Sequence, residues 1–232
     1  MNCKKRTVFG MKVLLVCIFL TAGCVPQEIE NSGESKKSGS GAVDTSEMFT
    51  NRDLDDTYEE SDLIEIRLSD EEIVCESEIV DISDSVITIS KEGTYILSGS
   101  LSEGQVVVDA ADTDKIQLVL DNAVIQCSTS AALYVRQADK VFLTLADGSE
   151  NQLSNREDFI AIDDNHVDAV IFSKEDLTLN GTGSLNISAA YGHGIVSKDD
   201  LVLTGGGVTR LRQRAMHYQG KTVYGLQKEV FS

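Results

Sequence analysis

Apolar and polar residues alternate through the middle of this chain, and the alternation comes in repeated phrases. Ile171-Phe172-Ser173-Lys174-Glu175-Asp176-Leu177-Thr178-Leu179-Asn180-Gly181 is echoed 24 residues later by Ile195-Val196-Ser197-Lys198-Asp199-Asp200-Leu201-Val202-Leu203-Thr204-Gly205. In each copy the leucines fall two apart, the period of a strand with one face buried. The same apolar triplet recurs upstream. Tyr95-Ile96-Leu97, Leu118-Val119-Leu120, Leu143-Thr144-Leu145, Leu177-Thr178-Leu179 and Leu201-Val202-Leu203 follow one another at steps of 23, 25, 34 and 24. Self-similarity at a period between about 20 and 50 residues marks a repeat architecture.

Three architectures use short strands at such a spacing. A leucine-rich repeat wants a helical return, and no 3.6-residue periodicity separates the copies. A β-sandwich would also supply regularly spaced strands. A parallel β-helix explains the repeat itself, because it stacks each phrase on the next in a parallel ladder about 4.8 Å apart. The pattern therefore predicts an all-β parallel β-helix, a solenoid with about 24 residues per coil. Ile171 should stack on Ile195, Leu177 on Leu201 and Leu179 on Leu203 inside. Ser173 on Ser197, Lys174 on Lys198 and Asp176 on Asp200 should stack outside. The long step of 34 reads as one coil plus an insertion, Ser154 to Asp168, and such projecting loops are frequent binding sites. The short alternating runs from Leu63 to Ser90 read as N-terminal capping strands over an otherwise open edge.

Outside the repeats the composition changes twice. Lys4, Lys5, Arg6 and Lys12 precede the apolar run Val13 to Leu20, which is too short to span a bilayer and reads as a signal peptide. Leu20-Thr21-Ala22-Gly23-Cys24 then resembles a bacterial lipobox, with cleavage before Cys24 and lipidation of that cysteine. This predicts a signal peptide at 1–23 and a protein anchored by lipid to the extracellular face of the membrane. Residues 24–62, rich in Ser and Gly and then in acids, read as a disordered tether. The β-helix domain should span 63–207. Beyond it, residues 208–232 hold five basic side chains and one acidic one, whereas residues 25–207 hold 37 acidic and 11 basic. That tail reads as a basic cap or as a frameshift product that truncates the domain, and the absence of an amphipathic face favours the frameshift.

Charge then limits the partners. The formal charge is −18, and removing residues 1–23 takes away four basic residues and no acidic ones, giving −22. Nucleic acid is excluded as a partner on that ground. His166, His193 and His217 show no zinc-ligand spacing, and no nucleophile elbow or phosphate loop occurs. Cys75 and Cys127 could form a disulfide outside the cytoplasm, but 52 residues apart they give no spacing signal and read first as two separate buried thiols. Carboxylates are the abundant resource. Stacking acids about 4.8 Å apart is repulsive, and a hard cation relieves it. Calcium is the expected cofactor, with Asp163, Asp164, Asp168, Asp176, Asp199 and Asp200 as candidate ligands in the insertion and at the corners.

Three phrases in combination carry a resemblance. They are Gly93-Thr94-Tyr95-Ile96-Leu97-Ser98-Gly99, Leu145-Ala146-Asp147-Gly148-Ser149-Glu150-Asn151, and the doubled Ser-Lys-(Glu/Asp)-Asp-Leu phrase. Over roughly residues 64–207 the chain resembles a bacterial cell-surface carbohydrate-binding domain family. Its characterised clostridial member is a calcium-containing right-handed β-helix that binds polygalacturonate and cellulose. The resemblance implies a right-handed parallel β-helix, a non-catalytic lipoprotein, and an acidic polysaccharide such as pectin bound through calcium. Two departures stand out. His193-Gly194-Ile195 replaces the family's Asp-Gly-Ile, which removes a carboxylate, and the family's later coils are absent. Two other functions compete. A polysaccharide lyase on the same architecture would need a basic residue, with Arg136, Lys140, Lys174 and Lys198 as candidates. A structural or adhesive surface β-helix would need an exposed apolar or aromatic stripe, and only 6% of residues are aromatic.

Overall fold

The computed structural model describes residues 49–156, 160 and 163–205, with the backbone of two short strands at 207–208 and 223–225. All lie within one compact unit, Val43–Ser232. The signal peptide, Cys24, the tether up to residue 48 and most of the basic tail lie outside the described residues.

The described chain is built from strands. β1 (Leu63–Leu68), β2 (Val74–Cys75), β3 (Val80–Ser83), β4 (Val86–Ile89), β5 (Gly93–Leu101) and β6 (Gln105–Asp109) come first. β7 (Lys115–Cys127), β8 (Leu133–Gln137), β9 (Lys140–Leu145), β10 (Glu150–Asn155) and β11 (Ala169–Ser173) follow. β12 (Asp176–Gly181), β13 (Ser184–Ala189), β14 (His193–Ser197), β15 (Leu201–Leu203), β16 (Gly207–Val208) and β17 (Val223–Gly225) complete the order.

The expected right-handed parallel β-helix, with one period of about 24 residues, is corrected by this arrangement. The molecule is an all-β protein with two mixed sheets. The larger has eleven strands, with the order β16-β13-β10-β7-β9-β12-β15-β17 and β5, β1 and β2 attached beside β7. The smaller has six, in the order β14-β11-β8-β6-β4-β3. The β1/β2 and β3/β4 pairs are antiparallel, and the remaining pairs are parallel. The larger sheet branches at β7, whose first half pairs with β9 and whose second half pairs with β10. Asn122, at φ 55°, separates the two halves. An alternation pattern reports which face of a strand is buried, but it carries no information on which strands become neighbours.

The twin phrases themselves pair in parallel, Leu177 with Leu201 and Leu179 with Leu203, and Ile171 with Ile195. Ile171, Leu177 and Leu179 are fully buried in the main core. A core leucine of this kind contributes about 2–5 kcal/mol. Ser173 and Ser197, expected outside, are also fully buried. Their small hydroxyls turn back on the chain, Ser173 to the carbonyl of Glu175 and Ser197 to those of Glu175 and Asp200, so no polar group is left unpaired.

Corners are fixed by glycine and asparagine. Gly181 has φ 92°, and a Cβ there would lie 2.2 Å from the Leu145 carbonyl oxygen. Only glycine accepts both that backbone and that approach. Asn151 is buried, accepts the Ala123 N–H, and donates to Ser149 Oγ and the Ser184 carbonyl. Its amide thus ties three successive segments together.

Residues 49–62, expected to belong to the tether, lie against the larger sheet instead. Asp53 is 1% exposed, and a short 3-10 turn at Glu60–Asp62 leads into β1. We call residues 50–57 the strap.

Candidate functional site

Alternation leaves each sheet with a face turned away from the main core, and three such outer surfaces differ in chemistry. The first is formed by β7, β9, β12 and β15 and lies under the strap. Gln117, Phe142, Thr178 and Val202 are in register across it, beside Val119, Thr144 and Asn180. Gln117 Nε2 donates to Thr144 Oγ1, which donates to Asn180 Oδ1. The strap docks here through side chains. Lys140 Nζ lies 2.7 Å from Asp53 Oδ1, and the Thr178 hydroxyl donates to the same oxygen. Asn180 Nδ2 donates to the Asp55 carbonyl and Thr204 Oγ1 to the Asp53 carbonyl. The Arg52 guanidinium sits 4.4 Å from the centre of the Phe142 ring. Burial pushes the Asp53 carboxyl up, but the bonds from Lys140, Thr178 and Thr50 outweigh it and hold the group below its ordinary value.

The second surface belongs to β8, β11 and β14. Tyr134, Phe172 and Val196 form a small apolar cluster with Ala131, Ala169 and Val167. The Tyr134 and Phe172 rings meet edge to face at 5.8 Å. Residues 163–168 close over this cluster. Tyr134 Oη donates to Asp163 Oδ2 at 2.5 Å, and Asn165 Nδ2 donates to Tyr134 Oη. Burial, and then Asp163, raise the Tyr134 hydroxyl well above its ordinary value. Burial pushes the Asp163 carboxyl up, but the Tyr134 hydroxyl, the Asn165 N–H and Arg136 together hold it low.

The third surface is carried by the second half of β7 with β10 and β13. Val124, Gln152 and Asn186 are in register across it, as are Gln126, Ser154 and Ser188. Gln152 and Asn186 are exposed, and Gln126 and Ser188 are half-buried. Tyr191, 43% exposed, follows β13, where Asn155 takes both its N–H and its carbonyl. Apart from Val124 these side chains are neutral hydrogen-bond donors and acceptors, spaced about 4.8 Å from strand to strand, with Ser154 itself buried and the Gln126 amide donating to the Ser102 carbonyl.

The six carboxylates expected to hold calcium fall into two separate groups. Asp163, Asp164 and Asp168 precede β11. Asp163 is taken up by Tyr134, Asn165 and Arg136, Asp164 is exposed, and Asp168 Oδ2 lies 3.7 Å from His193 Nε2. Asp176, Asp199 and Asp200 lie at the turns into β12 and β15, where Asp176 Oδ1 accepts the Asp200 N–H. Among the described residues, no three His, Cys, Asp or Glu side chains converge. Calcium takes about six to eight oxygen ligands, so neither group holds the ion by its carboxylates alone, and carbonyl, amide or ligand oxygens would have to complete the shell. At the second group, burial and the neighbouring acids Asp199 and Asp200 push Asp176 up against the pull of the Asp200 N–H and Lys140. Glu175 is raised by burial first and then by Asp199, Asp176 and Asp112, against the pull of Lys174.

Three of the four basic candidates for a lyase, all but Lys174, are engaged. Lys140 pairs with Asp53, Arg136 pairs with Asp109 at 2.9 Å, and Lys198 lies 5.4 Å from the centre of the Phe172 ring. The third surface carries only a weak mark in the sequence. Its signal was the polar alternation Gln152-Leu153-Ser154 and Asn186-Ile187-Ser188, where the outward positions are amide or hydroxyl rather than charged.

An all-β chain with two mixed sheets and a long parallel ladder resembles a polysaccharide lyase-like fold. The solved structure of a polysaccharide lyase-like protein from C. thermocellum, a gadolinium derivative, matches with a TM-score of 0.58 and 33% identity, over 62% of this chain and 59% of that one. The family model described as carbohydrate-binding domain-containing protein matches residues 83–213, more than half of the chain, and the chain belongs to that family. A relative from Acetivibrio thermocellus, also described as a carbohydrate-binding domain-containing protein, is 37% identical over 132 residues, 56% of this chain and 46% of the relative. The chain spans about half the length of this curated relative.

Proposed function

We propose that this carbohydrate-binding domain protein is non-catalytic and takes its glycan across the open surface of β7, β10 and β13. The observation that carries the reading is the pair of neutral amide and hydroxyl rows on that surface, Gln152 with Asn186 and Gln126 with Ser154 and Ser188. Amides and hydroxyls match the donors and acceptors of sugar hydroxyl groups without the cost of stripping water from a charge. Tyr191 offers an aromatic edge at the end of the rows. The engaged state of Lys140 and Arg136 favours binding over lyase chemistry, which needs a basic side chain available to the substrate.

The finer expectations belong to the same proposal. Cys24 carries the lipid and holds the protein at the extracellular face of the membrane, which the mass of the mature N-terminal peptide tests directly. An acidic polysaccharide would meet a strongly acidic protein, so pectin binding through calcium predicts loss of retention on chelation. The deciding experiment is a pull-down on polygalacturonate and on cellulose, each with calcium and with chelator, using the wild type and Gln152→Ala/Asn186→Ala. Loss of retention in the double variant supports the open surface. Full retention by the folded double variant overturns it. Appearance of an unsaturated product on pectate would overturn the non-catalytic reading.

A further inference from the structure

The strap is held in a way that strands within the sheets are not. Among the described residues, the bonds joining it to the sheet all involve a side chain. The sheet supplies an ammonium group from Lys140, an aromatic ring from Phe142, hydroxyls from Thr178 and Thr204, and amides from Gln117 and Asn180. The strap supplies one buried carboxylate, one guanidinium over the ring, and main-chain carbonyls. The two Asp53 oxygens are both occupied, Oδ1 by Lys140 and Thr178, and Oδ2 by the N–H and hydroxyl of Thr50.

That donor set has a chemical meaning apart from the strap. A cation beside a hydroxyl receives a carboxylate, a ring face receives the C–H face of a sugar, and flanking amides receive hydroxyl groups. We propose that the surface of β7, β9, β12 and β15 is a second saccharide site, for a carboxylate-bearing sugar, which the strap plugs by placing the Asp53 carboxylate against Lys140 and Thr178. This site is separate from the open surface and does not depend on glycan binding there. The strap can leave without breaking a main-chain ladder, because its attachments are side-chain bonds. While the plug is in place, the apparent affinity for the sugar falls with the fraction of molecules that are open.

The test uses the full chain, with galacturonic acid as probe and galactose and acetate as controls. In Asp53→Ala the apparent affinity for galacturonic acid should rise by about tenfold or more over the wild type. Galacturonic acid, read by calorimetry and by the unfolding midpoint, should act more strongly than acetate. Galactose should do nothing, and Asp53→Ala/Lys140→Met should lose the response. Retention on polysaccharide through the open surface should stay as in the wild type. If Asp53→Ala folds poorly, the wild type still decides the matter, since oligogalacturonate should speed tryptic cleavage after Arg52 and a neutral oligosaccharide should not. The proposal is overturned if galacturonic acid fails to bind Asp53→Ala, if acetate acts as strongly, if the double variant keeps the response, or if cleavage after Arg52 ignores the oligosaccharide.

Discussion

The surface under the strap and the open surface are made from the same chain by the same alternation, yet they handle polarity in opposite ways. Under the strap, a charge is buried and therefore depends on a partner. Lys140 is 14% exposed at its side chain and Asp53 is 1% exposed, 2.7 Å away. On the open surface, Gln152 and Asn186 are neutral and exposed, so water can replace any partner. A buried ion pair commits its surface to one occupant at a time, whereas a neutral exposed row leaves its surface available. The difference lies in the outward residues of the two strands that β7 joins, Lys140 and Phe142 on β9 against Gln152 on β10.

The largest effect should come from breaking the pair on one side only. Lys140→Met leaves the Asp53 carboxylate buried without its cation and should lower stability by about 3–5 kcal/mol in denaturant unfolding. Adding Asp53→Asn to that variant should recover part of the loss, because the two sites share one interaction. A Lys140→Met protein as stable as the wild type would mean that the strap is not committed at all.

The next effect lies at the turn that carries the chain from the covered surface to the open one. Gly181→Ala forces a Cβ to within 2.2 Å of the Leu145 carbonyl at a positive φ. It should cost on the order of 1–3 kcal/mol, read as a lowered unfolding midpoint. An unchanged midpoint would show that β12 and β13 can be rejoined in another way.

Acid should act on the two sides of β12 with opposite sign. The Asp53 carboxyl sits below its ordinary 3.8, so its contribution is present above that value and is lost as the pH falls through the folded-state value. The stability gap between the wild type and Asp53→Asn should therefore close as the pH drops below about 3.8. Glu175 and Asp176 are raised, so the folded state binds their protons more readily than the unfolded chain does. Their contribution favours the fold at low pH and fades as the pH rises through their raised values. Asp176→Asn should accordingly stabilise the protein at neutral pH, and a loss of stability there would reverse the assigned sign.

The smallest effect on stability should be on the open surface. Gln152→Ala and Asn186→Ala should each change stability by no more than about 0.5 kcal/mol. The combined variant should still lose polysaccharide retention, which separates a binding surface from a structural one.

The sequence made the repeating phrase legible because burial in a strand has a strict two-residue period. The pairings Leu177 with Leu201 and Leu179 with Leu203 follow from it. The sheet order did not, because β7 serves two neighbours on either side of Asn122, and no local pattern announces that branch. The strap was hidden for a different reason. Residues 50–57 are short, polar and acidic, a composition that buries nothing by itself, and Thr178, which takes up Asp53, is 125 residues further along. The expected calcium ligands stand out in the sequence by charge and spacing alone. The structure separates them into two groups and gives Asp163 to Tyr134 and Arg136. The neutral rows escaped notice because Asn, Gln and Ser on a strand carry no strong signature.

The Thr204 hydroxyl reaches the Asp53 carbonyl across 151 positions of sequence. During synthesis Asp53 is made long before its receiver. At roughly 5–20 residues per second the interval is on the order of ten to thirty seconds. Throughout it the sheet grows strand upon strand, and the strap has Gln117 and Lys140 as partners before Thr178 and Thr204 exist. A segment translated before every strand of the domain is thus among the last to be fully seated, and its complete set of bonds reports that β12 and β15 have been made.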